Sequence, residues 1–74
     1  MKVIIRGIGL ENLQIKAARA GLEISTLAAQ IHVSKSTLIK AITGEPIRPS
    51  SYVKIKTYFY GGNDWLDNFI AVVA

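Results

Sequence analysis

Glycine and proline divide this chain into segments that leave room only for brief elements. Gly7 and Gly9 come early, Gly21 follows, Gly44 to Pro49 form a cluster, and Gly61-Gly62 make the last break. Glycine resists a fixed helical backbone and proline removes a backbone donor, so each is a natural place for a helix to end. None of the pieces is a linker, and the chain holds no internal repeat or low-complexity tract. At 74 residues it has room for one domain, which hides only about 60% of the surface it exposes when unfolded. Half of its residues are apolar and they are spread along its length, a composition that argues against disorder.

Within the pieces the apolar spacing is helical. Leu10, Leu13 and Ala17 fall at i, i+3 and i+7 of a first helix from about Gly9 to Ala20, stopped by Gly21. Leu27, Ala28 and Ile31 mark a second, from about Ile24 to Ile31. His32-Val33-Ser34 interrupts it. Ser34 then suits the N-cap of a third helix carrying Leu38, Ala41 and Ile42 and ending at Gly44. A fourth begins near Ser50 with Tyr52, Ile55 and Phe59 on its core side. A fifth is expected from about Asn63, with Trp65, Leu66, Phe69, Ile70 and Val73 on one stripe that either closes the core or continues into a homodimer interface. The opening Lys2-Val3-Ile4-Ile5-Arg6 is β-branched, and residues 1–8 are expected to form an extended N-terminal arm, an edge strand being the other choice. The expected fold is therefore an all-α domain of five short helices.

Several functional classes are excluded early. No cysteine is present and His32 is the single histidine, so disulfides and a cysteine or histidine metal centre are ruled out, and no cofactor is expected. No window reaches the ~18 apolar residues of a membrane span, and Met1 to Leu10 lacks the pattern of a signal peptide, so a cytoplasmic location is expected. No nucleophile has a base partner, and Gly7-x-Gly9 lacks the remaining glycine and lysine of a phosphate loop. An enzyme is not expected.

The net charge of +4 is unevenly placed. Residues 1–34 carry four bases and two acids, residues 35–56 five bases and one acid, and residues 57–74 two acids alone. The middle cluster of Lys35, Lys40, Arg48, Lys54 and Lys56 has the form of a phosphate-facing surface.

The second and third helices are separated by a turn of few residues, which suits the sharp corner of a helix-turn-helix over residues 24–43. The run Leu27-Ala28-Ala29-Gln30-Ile31-His32-Val33-Ser34-Lys35-Ser36-Thr37-Leu38, with Gly44 after Ile42-Thr43, resembles the signature of the lambda-repressor-like (XRE and Cro) family: Leu-Ala, two residues, Ile or Leu, Gly-Val-Ser, two residues, Thr or Ser, Ile or Leu. Ile15 to Arg19 resembles the first helix of phage repressors, and Pro49-Ser50 through Tyr58-Phe59 resembles the helix that follows the recognition helix. The likeness covers roughly residues 12 to 60.

This resemblance implies a phage-type transcriptional regulator acting in a lysogeny/lysis-like switch inside a bacterial host. Its partner would be double-stranded operator DNA, and the first turn of the third helix would enter the major groove. Ser34, Lys35, Ser36, Ile39 and Lys40 would face the bases, while Arg48 and Lys54 would lie on the backbone. Lys35 would reach guanine O6/N7 or a phosphate, and Ile39 would cover a thymine methyl. Two departures bear on this reading. His32 stands where the family has a turn glycine, and Glu23-Ile24 replaces the usual Ser/Thr-Gln pair. Apolar Ile24 and Ile39 on the expected DNA face open a second reading, an antirepressor that grips the DNA-binding domain of a co-encoded phage repressor through Ile24, Lys35, Ser36, Ile39 and Lys40.

Overall fold

The computed structural model describes residues 1–74 and is mostly helical, with one small sheet. Strand β1 (Lys2–Ile5) leads into helices α1 (Gly7–Arg19), α2 (Ile24–Ile31), α3 (Lys35–Ile42) and α4 (Pro49–Tyr60). A 3-10 helix (Asp64–Phe69) then delivers strand β2 (Ile70–Val73). The helix ends follow local chemistry. Ser34 Oγ accepts the Thr37 N–H at 3.1 Å and caps α3. Pro49 opens α4, where its missing N–H costs nothing, and Gly61 closes it at φ 60°.

The tail departs from the sequence reading. The fifth helix does not run to Val73: it is a 3-10 turn that stops at Phe69, and the chain continues extended, pairing antiparallel with β1 from Ile5↔Ile70 to Lys2↔Val73. The opening segment takes the strand alternative, paired with β2 along one edge and bridged to Ile47 on the other. Residues 2–5 are a strand, and α1 begins at Gly7, earlier than expected. The all-α expectation is corrected by this sheet. The cause is that each segment satisfies the other's backbone: β-branched Val3, Ile4 and Ile5 meet Val72, Ala71 and Ile70 in turn, and the Arg6 N–H donates to the Phe69 carbonyl at 2.8 Å. A continued helix would leave β1 without a partner strand.

β1 also pairs on its other edge. Val3 and Ile47 exchange two N–H···O bonds of 2.8 Å, so the loop between α3 and α4 is stitched to the sheet. Below these strands the core gathers Leu13 of α1, Leu27, Ala28 and Ile31 of α2, Leu38 and Ala41 of α3, Tyr52 and Ile55 of α4, and Leu66, together with Val3, Ile5 and Ile47. Leu13, Leu38, Ile55 and Leu66 are fully buried, each contributing about 1.5–3 kcal/mol by burial. Ala28 is 2% exposed between α2 and its neighbours, where a larger side chain would have no room.

Candidate nucleic-acid interface

The α2–α3 corner turns on His32, the one non-glycine residue with positive φ (68°). Its N–H reaches the Ala29 carbonyl at 3.2 Å and the Val33 N–H reaches Ala28 at 3.1 Å, which ends α2 and redirects the chain. Lys54 of α4 braces the corner by donating from Nζ to the His32 carbonyl at 3.1 Å. α2 itself has no side-chain cap, since Glu23 stands at its N-cap position without capping it. At the other end of α3, Gln14 Nε2 of α1 donates to the Ile42 carbonyl at 2.8 Å. Outside groups thus hold the turn that leads into the third helix and the carbonyl of its last residue.

Leu38 and Ala41 point α3 into the core, which leaves the opposite side to solvent. Ser34, Lys35, Ser36, Ile39 and Lys40 are all exposed there, and so are Arg48 and Lys54 beyond it. Ser34 is partly spoken for: besides capping, it donates to Thr37 Oγ1 at 2.8 Å. Ile39 is 38% exposed. Ile24 behaves differently. It is half-buried and packs against the core, lining a shallow apolar cleft with Ala17, Leu22, Leu27 and Ile42, a cleft to which Ile39 does not contribute. The two isoleucines expected on one face therefore sit in different surroundings.

The cations divide as well. Lys56 is held by Asp64 at 3.1 Å and Asp67 at 3.3 Å, the structure's only ion pairs, and lies 5.6 Å from the Tyr52 ring centroid. Its hydrogen bond to Asp64 raises its pKa above the ordinary lysine value. It is a tie between α4 and the 3-10 helix, unlike the other members of the basic cluster. Tyr52 completes that tie by donating to Asp67. This bond is the leading cause that holds the Asp67 carboxyl below the usual range, while burial, followed by the same bond, pushes the Tyr52 hydroxyl up.

Lys40, Arg48 and Lys54 instead surround a hollow of about 430 Å³ between the α2–α3 turn, the loop before α4 and the start of α4. Its wall adds the hydroxyls of Ser34, Thr37, Ser50 and Ser51, and no carboxylate lines it. Lys2 of β1 is the fourth cation, brought in by the Val3–Ile47 bridge. The sequence reading missed Lys2, Thr37, Ser50 and Ser51. Two serines directly after the proline that opens a helix were a legible signal for an anion site, since backbone N–H groups are free there. For Lys2 no local signal exists. Comparison with protein-family models, curated proteins and solved structures returns no match for this chain.

Proposed function

We propose that this protein is a DNA-binding regulator of the helix-turn-helix kind, which lays the exposed side of α3 in the major groove of operator DNA and acts in a phage-type genetic switch. The observation that carries the reading is a charge imbalance beside a presented helix. Four cations line one hollow next to α3 with no acid among them, and Lys35 stands exposed and free of any ion pair on the helix itself. A phosphate backbone supplies the missing negative charge and releases counterions as it docks. Lys35 and Ser36 reach base edges in this arrangement, Ile39 covers a thymine methyl, and Arg48 and Lys54 orient the protein without reading sequence. Two copies would read paired half-sites about one helical turn apart.

A second reading draws on Ile39, 38% exposed among polar neighbours. An antirepressor would seat it in a partner repressor's DNA-binding domain as an apolar anchor. The half-burial of Ile24 leaves that reading with one free isoleucine in place of two. A gel-shift titration separates the two functions. The protein alone retards a duplex under the first reading; under the second it retards none, and it releases a duplex already held by the repressor encoded beside it.

A further inference from the structure

The antiparallel Val3–Ile47 bridge sets Lys2 opposite Arg48. Like charges facing each other across such a bridge are unfavourable, and both residues line the carboxylate-free hollow. A fold that places two cations face to face, adds Lys40 and Lys54, and lines the space between with the Ser50 and Ser51 hydroxyls at the start of a twelve-residue helix is arranged for an anion. The volume, about 430 Å³, admits a phosphate group with its water.

We infer that this hollow seats a backbone phosphate of the bound nucleic acid, clamped between Lys2 of β1 and Arg48 of the α3–α4 loop. The inference rests on the DNA-binding reading and deepens it. It makes the sheet, which the helical corner does not require, part of the binding surface: β2 holds β1 in register, and β1 carries Lys2 to the hollow.

Fluorescence anisotropy with a mixed-sequence duplex of about 20 base pairs, across a range of salt, tests it, since each neutralised phosphate contributes about −0.9 to the log–log slope. The Lys2→Ala, Arg48→Ala double variant is expected to lose about one such increment, and Lys2→Arg to keep the parent slope. Lys16→Gln serves as the control, because Lys16 lies over the Tyr60 ring at the end of α4 remote from the hollow. In the free protein, inorganic phosphate should raise the melting temperature above chloride at matched ionic strength, and the double variant should lose that gain. A double variant that keeps the parent slope while Lys35→Ala lowers it overturns the phosphate seat and leaves the DNA-binding reading standing. A parent that takes up inorganic phosphate but no duplex, or neither, overturns both.

Discussion

Gly9 of α1 lies flat against Phe69, the residue at which the last helical turn gives way to β2: a Cβ at position 9 would stand 2.8 Å from Phe69 Cγ. The contact fastens the beginning of the chain to its end, beside the Arg6 to Phe69 hydrogen bond. Alanine at position 9 would gain up to about 1 kcal/mol of helix propensity, but overpacking typically costs about 1–3 kcal/mol. Gly9→Ala is therefore expected to lower the melting temperature. A Gly9→Ala protein that melts at or above the parent would refute the close approach.

His32 holds a left-handed backbone conformation with a full side chain, at a cost of about 1–2 kcal/mol. Glycine there removes that strain and adds about 0.5–1 kcal/mol of backbone entropy loss on folding. The strain term is the larger. His32→Gly should stabilise the domain by about 0.5–1 kcal/mol, several degrees in a domain of this size. A fall in melting temperature would mean that the imidazole makes a contribution of its own.

Stability at extreme pH should follow Tyr52, Asp67 and Lys56. The folded-state pKa of Asp67 is depressed, first by the Tyr52 hydroxyl, so its contribution is present above the unfolded value of about 3.9 and is lost as pH falls through the folded one. Tyr52 and Lys56 are shifted upward. Their contributions are complete below about pH 10 and disappear as pH rises through the folded values. Tyr52→Phe should cost about 0.5–1.5 kcal/mol at neutral pH and flatten the acid limb of a melting-temperature profile. An acid limb identical to the parent's would remove Asp67 from the account.

Ile24 and Ile39 should respond differently to the same change. Ile24→Gln places an amide in a half-buried apolar cleft and is expected to destabilise by about 1–2 kcal/mol. Ile39→Gln, at an exposed position, should stay within about 0.5 kcal/mol. Under the antirepressor reading, Ile39→Gln abolishes capture of the co-encoded repressor; under the DNA reading, neither protein captures it, and the substitution weakens binding to a duplex whose thymine methyl Ile39 covers. Urea titration supplies the first comparison and a pull-down the second. Equal stability losses at the two positions would contradict the separation seen between them.

What could be read from the residues was what depends on near neighbours. Ser34 as a cap, Gly61 as a stop, His32 at the corner and the core stripe of Leu27, Ala28 and Ile31 all follow from contacts within a few positions. The tail was misjudged because Trp65, Leu66, Phe69 and Ile70 satisfy a helical period whether or not the helix continues. What ends it is a strand at the opposite end of the chain, and no local window contains both. Lys2 was missed for the same reason, its neighbour Arg48 being supplied by a tertiary bridge. Lys56 was grouped with the phosphate-facing cations because net charge along a sequence does not say which bases are already paired, as this one is by Asp64 and Asp67.

The central claim, that the exposed side of α3 and its flanking cations hold DNA, is tested most directly by duplex affinity as a function of salt for the parent, Lys35→Ala and Lys40→Ala. Lys35 and Lys40 are exposed and make no ion pair, so the substitutions spare the fold. Steep salt dependence is expected for the parent, about −0.9 in log–log slope for each phosphate neutralised, with weaker binding for both variants. Affinity that is flat between low and moderate salt, or unchanged by both substitutions, would contradict it.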